Sequence, residues 1–272
     1  ETGVAVTQNT NAFNIGRKVV SDPHWVDTIN LYRSGSLASK PILSSEALSL
    51  IDSISPDEEL RKILEHRTQE LIEYQNLSYA KEYMSFVGNI FEKEQKTRSS
   101  SELSQNVAKY LFKLMATKDE YEVARLSLKA ELDSAINKEF GKSAKISYML
   151  HPPFLKAMEN IPILNMLPGV KSKLALGSWF KVFYVMLKNM KFLRGTPFDF
   201  MAWFSNDVRK ADRKALNHYK SILSNNIDEI GNGKYQDLKE FSILPDIIRG
   251  YEEVRLETMD EFYLKSNNLF KS

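Results

Sequence analysis

The 272-residue chain is predicted to be mainly α: a multi-helix domain with a short strand-and-helix remnant at the N-terminus and at most a minor β element. Three observations predict it. Apolar residues recur at spacings of three, four and seven over long stretches, the period of an amphipathic helix. Ser, Asp, Pro and Gly stand where such runs should start and stop. With 43% apolar and 11% aromatic residues, a chain of this length can fill a sizeable core.

Taken in order, Gly3 to Val6 reads as a short strand, followed by a Thr/Gln/Asn-rich turn and a helix from near Asn11 that carries Ala12, Phe13, Ile15 and Gly16. A lone strand leaves its backbone groups unpaired, so this one is expected to be an edge or to have lost neighbours encoded upstream. The opening Glu1-Thr2-Gly3 has no initiator Met, basic region or apolar region of a signal peptide, and the chain reads as a fragment. The Ser-, Gly- and Pro-rich residues 33–45 form a linker that divides an N-terminal piece, 1–35, from a helical domain, 36–272.

Beyond it, Ser55-Pro56-Asp57-Glu58 predicts a helix start, with Ser55 as N-cap, Pro56 in the first turn and Glu58 closing a capping box. Leu60, Ile63, Leu64, Leu71, Ile72, Tyr79, Tyr83, Met84, Val87, Ile90 and Phe91 follow as a helix or helix pair. After Ser99 to Ser101 a second run, Leu103 to Phe140, ends at Gly141, and the two runs are expected to pack as an antiparallel hairpin. Lys145 to Leu150 alternates like a strand and stops at Pro152. Helices are predicted from Gly177 to Leu193, stopped by Gly195 and Pro197, and from about Ser205 to Ile230. After a turn at Gly231 to Gly233, a last helical segment holds Leu238 and Phe241, and Pro245 to Leu269 closes the chain.

Composition excludes several classes of chemistry. Lys and Arg number 37 against 35 Asp and Glu, and the net charge of +2 exerts no general pull on nucleic acid or an anionic membrane. Cysteine is absent, which removes disulfides, thiolate nucleophiles and cysteine-ligated iron–sulfur clusters and suits a reducing cytoplasm. The richest apolar stretch, Leu174 to Leu193, is interrupted by Lys181, Lys188 and Lys191, so no spanning helix is expected. There is no glycine-rich phosphate loop, dinucleotide fingerprint or nucleophile elbow.

Four constellations remain. His66 and Glu70 share a helix face at a spacing two metal ligands could use, but catalytic zinc takes three protein ligands, and His24, His151 and His218 show no matching spacing. Asp119-Glu120-Tyr121-Glu122 with Arg125 offers carboxylates for acid–base work, while the three-residue spacing of Glu122 and Arg125, with Asp119 on the same side, is that of a structural ion-pair network. Lys173, Lys181, Lys188 and Lys191 line one side of a predicted helix whose Trp179, Phe180, Phe183, Met186, Leu187, Met190 and Leu193 fill the opposite face. That pattern marks either a core helix with a solvated edge or a self-standing module that binds an anionic membrane surface or partner through the lysines. Finally, Arg194-Gly195-Thr196 and Arg249-Gly250 place an arginine before a capping glycine, where its charge meets the negative helix end.

Several stretches in order carry a family likeness. Gly3 to Val6 with Asn11-Ala12-Phe13 and Gly16-Arg17 looks like the end of the γ-type domain of 2-oxoacid:ferredoxin oxidoreductases. Ser55 to Gly88 follows, with Glu70, Tyr74, Gln75, Tyr79 and Ala80, then Lys118-Asp119-Glu120-Tyr121-Glu122-Val123-Ala124-Arg125-Leu126, His151-Pro152-Pro153, Leu176-Gly177-Ser178-Trp179, Leu193 to Asp199, and Pro245 to Val254. Together they resemble the C-terminal region of the fused indolepyruvate:ferredoxin oxidoreductases, a region whose own role is undefined. The resemblance implies a parent enzyme that oxidatively decarboxylates an aryl 2-oxoacid to its acyl-CoA, with ferredoxin as acceptor. Thiamine diphosphate, coenzyme A and iron–sulfur clusters would be held by other domains of the same polypeptide, in a cytoplasmic homo-oligomer. No catalytic, cofactor or metal residue transfers to this chain; Lys118, Asp119, Glu120, Tyr121, Arg125, Arg194, Gly195, Thr196, Arg249 and Gly250 are motif residues without an assigned role. Glu252-Glu253-Val254 departs from the glycine and histidine expected there.

Overall fold

In the computed structural model, capping chemistry and helical apolar period divide the chain into eleven α-helices and one two-stranded ribbon among the described residues, 6–22, 42–141, 146–150, 174–199, 201–202, 206–250 and 252–270. The class is mainly α. Two compact units separate, residues 1–42 and 43–272. In the first, α1 (Val6–Ser21) leaves Phe13, Ile15 and Val20 exposed. Val6 is helical, and the helix starts there instead of near Asn11. A helix satisfies its own N–H and C=O groups, which an isolated strand cannot. Gly3 to Ala5 lie outside the described residues, as does most of the 33–45 linker.

The second unit begins with α2 (Ser45–Asp52), α3 (Glu58–Tyr74) and α4 (Leu77–Arg98). Ser55 does not cap α3. It sits at φ 47°, whereas an N-cap needs extended backbone, and Asp57 takes the role, its carboxylate accepting from Leu60 N–H at 2.9 Å. Asn76 caps α4 in the same way, accepting from Tyr79 N–H, and so splits the run into a helix pair. The predicted run from Leu103 to Phe140 is three helices: α5 (Glu102–Met115), α6 (Glu120–Ser127), capped by Asp119, and α7 (Ala130–Phe140), closed by Gly141 at φ 81°. α5 packs against both α3 and α4 and also against α10 (Tyr235–Ile243), so a simple two-run hairpin does not form.

The start of α5 is held from a distance. Ser101 makes no side-chain cap bond; instead the fully buried carboxylate of Glu94, on α4, accepts from the N–H groups of Leu103 (2.9 Å) and Ser104 (2.8 Å), from the Ser104 hydroxyl and from Tyr235 Oη (2.8 Å). A buried anion at a helix N-terminus is stabilised by the exposed donors and the helix dipole.

β1 (Tyr148–Leu150) pairs antiparallel with β2 (Leu174–Leu176), Tyr148 opposite Leu176. Short 3₁₀ turns, Ser178–Phe180 and Met190–Leu193, flank α8 (Lys181–Asn189). α9 (Asn206–Asn226) runs on through the 3₁₀ turn Ile227–Asn232 to Gly233 at φ 95°. After α10 and the 3₁₀ turn Leu244–Ile247 comes α11 (Glu252–Leu269), which the periodicity does not predict. Its apolar residues face both ways: Met259 and Phe262 are buried while Val254 and Leu264 are exposed.

Two apolar cores result. The larger joins Leu60, Leu64 and Leu71 of α3, Tyr83, Val87 and Ile90 of α4, and Leu103, Val107 and Leu111 of α5 to Tyr219, Phe241 and Phe262 of α9, α10 and α11. The smaller holds Tyr121 and Ala124 of α6 against Phe180, Tyr184 and Leu187, with Met201. Replacing Glu94 by Ala removes the acceptor for four donors; urea denaturation should show a loss of about 3 kcal/mol, and Glu94→Gln a smaller one.

Candidate functional site

The two cores meet at a ionic joint built by three arginines. Arg125, buried on α6, donates Nε to Glu122 at 2.9 Å, Nη1 to Glu73 at 2.6 Å, and Nη2 to Glu122 and Glu70, the last also held by Lys129. Arg194 grips Asp119 with Nε (2.5 Å) and Nη2 (2.8 Å), donates Nη1 to the Tyr74 carbonyl (2.6 Å) and Gln75 Oε1 (2.8 Å), and lies 3.8 Å from the centre of the Tyr74 ring. Arg209, from α9, pairs with Glu120 and, at 3.0 Å, with Asp199.

The end of α3 explains the arrangement. The last carbonyls of a helix lack internal partners and carry the negative end of its dipole. Here Lys191 donates to Glu73 O (2.6 Å) and Ile72 O (3.4 Å), and Arg194 to Tyr74 O. The helix end that Arg194 meets is therefore that of α3, not its own. Gly195, at φ 76°, turns the chain so that its N–H donates to Asp199 at 3.0 Å, and Thr196 Oγ1 donates to Leu193 O. Asp199 also accepts from Tyr121 Oη at 2.9 Å.

Thus Asp119, Glu120, Tyr121, Arg125, Arg194, Gly195 and Thr196 all converge on this joint, whereas Lys118 is exposed. Asp119 does not pair with Arg125; it caps α6 and binds Arg194. Arg249 and Gly250 lie elsewhere. Arg249 donates to Asp246 O and its carboxylate on the surface, and Gly250, at φ 81°, occupies a turn where a Cβ would meet Val254 Cγ1 at 2.7 Å. Asp199, Arg209 and Lys191 were not predicted to belong here, because their partners stand on other elements.

Beside the joint is a cleft of about 450 Å³, lined in part by Tyr74, Asn76, Tyr79, Met115, Arg213 and Leu216. Its capacity for chemistry is small. Burial pushes the Tyr74 hydroxyl up to about 12, so it stays protonated, and burial raises the Glu120 carboxyl against the opposing charge of Arg209, its ion-pair partner. Glu70, although burial alone would raise it, is held below the usual carboxylate range by Lys129 and Arg125. Asp212 is paired with Arg255. Among the described residues no group of three or more His, Asp or Glu side chains is placed to hold a metal; His66 is exposed, and Glu70 belongs to the arginine network. His24 and His151 lie outside the described residues. His218 Nε2 contacts Ser266 Oγ at 2.7 Å, but Ser266 is fully buried and aromatic rings of Phe241, Phe262 and Tyr263 surround the imidazole, an unsuitable place for a nucleophile.

The lysine stripe is not a free charged edge. Lys181 donates to Asp133 at 2.7 Å and Lys191 to the α3 carbonyls; Lys188 is exposed, and Lys173 lies outside the described residues. Nor do the apolar residues of α8 share one face: Phe180, Tyr184 and Leu187 are buried, while Trp179, Val182, Val185 and Met186 are exposed. No described helix is long and apolar enough to cross a membrane.

A model of a family of unknown function, DUF6537, matches residues 60–267. The chain belongs to this family. The DUF6537 match runs from the first buried leucine of α3 to the last turns of α11, and so takes in both cores and the joint between them. Neither the curated proteins nor the solved structures contain a match to the chain.

One outcome tests the joint and a second tests the larger core. Arg125→Ala strands the buried Glu122 and should cost about 3–5 kcal/mol in denaturant unfolding, with an Arg125/Glu122 double-mutant cycle giving a coupling of about 2 kcal/mol. The second concerns His218, whose pKa is lowered by burial and by Lys214. The unfolded chain then takes up the proton first, at about pH 6.5, so the stability this residue contributes is present above that pH and lost below it. The stability difference between the wild type and His218→Gln, followed by thermal melts, should narrow as pH falls from 7.5 to 5.5, values on either side of about 6.5.

Proposed function

We propose that this chain is a non-catalytic structural and interface segment of an indolepyruvate-type 2-oxoacid:ferredoxin oxidoreductase, an enzyme that oxidatively decarboxylates an aryl 2-oxoacid to its acyl-CoA and passes the electrons to ferredoxin. The supporting observation is that two of the motif stretches resembling that enzyme, Lys118 to Leu126 and Leu193 to Asp199, interlock in the arginine joint, where their charged groups bind one another. Residues spent on internal partners position elements and leave little for substrate. Thiamine diphosphate, coenzyme A and iron–sulfur clusters belong to other domains in this reading, since the chain has no cysteine and no phosphate-cradling loop. Its work is to brace those domains within the cytoplasm.

The competing reading, a module that docks on an anionic surface through the lysine stripe, draws less support because Lys181 and Lys191 are already bonded within the protein.

Purified as the 272-residue chain, the protein should show no 2-oxoacid decarboxylation with thiamine diphosphate, coenzyme A and a ferredoxin-like acceptor. In the complete polypeptide, Arg125→Ala should reduce the yield of folded enzyme while kcat per folded site stays within about twofold. Turnover by the isolated chain would overturn the proposal.

A further inference from the structure

The outward side of α8 and its flanking turns is apolar, with no carboxylate. Trp179 is 66% exposed, Val182 76%, Phe192 67% and nearby Phe198 74%, with Val185 and Met186 about half exposed. A buried leucine or a lone surface valine needs no explanation, but a cluster of this kind does. At roughly 150–250 Å² for a whole aromatic side chain, the three aromatics present about 400 Å², and Val182, Val185 and Met186 bring the face to about 600 Å². A standard protein interface covers about 800 Å² per partner, so most of one is already present here.

Spacing says what shape fits. Val182, Val185 and Asn189 are exposed on α8 and stand three and four residues apart, on one side of that helix, and Ser178 and Phe192 are exposed in the 3₁₀ turns at its two ends. Val182 and Val185 at the centre suit the ordinary helix spacing of about 8–10 Å, and Trp179 and Met186 flank the seam. The opposite side is anchored by Phe180, Tyr184 and Leu187 in the smaller core, so the face is presented rigidly.

Charge says what the partner is not. Lys181, Lys191 and Arg194 are bonded to Asp133, to the end of α3 and to Asp119, and Lys188 alone stands exposed beside the seam. One lysine is a poor grip on an anionic lipid surface, which draws on several. Asn189 indicates what the partner is. An amide carries both donor and acceptor, so across a two-fold axis it pairs with its own copy, and one asparagine in an apolar seam is a known device for setting register in two-helix pairs.

We propose that this face binds a second copy of the chain, α8 lying parallel to its counterpart about a two-fold axis with Asn189 against the partner subunit's Asn189. The proposal rests on the reading of the chain as an interface segment and names one partner of that interface.

The test is sedimentation equilibrium of the 272-residue chain from about 1 to 100 µM, the weak end of the range open to interfaces of standard area. The wild type should dimerise. Val185→Glu and Val185→Lys should each weaken the dimer at least about 100-fold with unchanged melting temperature, and an equimolar mixture should restore association through opposite charges across the axis. A monomeric wild type, or variants that dimerise like it, overturns the proposal. If the chain is monomeric and Val185→Glu lowers the melting temperature, a segment of the same chain covers the face. If it is monomeric but binds separately expressed upstream domains of its parent polypeptide, the interface reading stands and the second copy falls.

Discussion

The end of α3 imposes the constraint around which this protein is organised. Its last carbonyls have no partner within the helix, and a carbonyl left unpaired where the chain packs over it costs as much as a lost hydrogen bond. Lys191 and Arg194 supply the donors from a segment more than a hundred residues further along the chain. Cations so placed need anions in turn. Asp119 serves Arg194 and at the same time caps α6, so one carboxylate ties the start of one helix to the finish of another.

From that contact the rest of the joint follows. Fixing the start of α6 places Glu120 toward Arg209, Tyr121 toward Asp199, and Arg125 toward Glu70, Glu73 and Glu122. Each buried charge is thereby paired and hydrogen-bonded, the condition under which burial of charge is tolerated. Such a network contributes little net stability over an apolar equivalent; what it adds is directional contacts that tie α3, α6 and α9 to one another.

The same economy explains the poverty of the cleft. A catalytic carboxylate or hydroxyl must be free to exchange protons with a substrate, and here the Tyr79 hydroxyl donates to the Met115 carbonyl, the Tyr121 hydroxyl to Asp199, and the Tyr74 hydroxyl lies 3.4 Å from that of Thr117, while Arg194 is bonded to Tyr74 O and Asp119. Among the described residues, exposed aromatic and aliphatic side chains gather on the outward side of α8.

The sequence alone established the mainly α class and the centres of most helices, because a 3.6-residue period survives wherever one face is buried and the other wet, as in α3, α4 and α5. Glycine stops at Gly141 and Gly195 were legible for the same local reason, since only glycine takes a positive φ without penalty, whereas Gly250 at φ 81° stands in the turn before α11 and ends no helix. Legibility ended where the deciding partner is remote. α11 escaped notice because it is apolar on both sides, Ser55 was preferred to Asp57 because cap geometry depends on backbone angles that composition does not encode, and the apolar face around α8 was drawn too wide: Phe180, Phe183, Leu187 and Met190 reach the smaller core beside α6, whereas Trp179 and Met186 stay exposed. In the joint, Arg194 is 75 residues from Asp119 and Arg209 is 89 from Glu120. Separations of that size leave no periodic trace, so which charges meet was decided by tertiary packing.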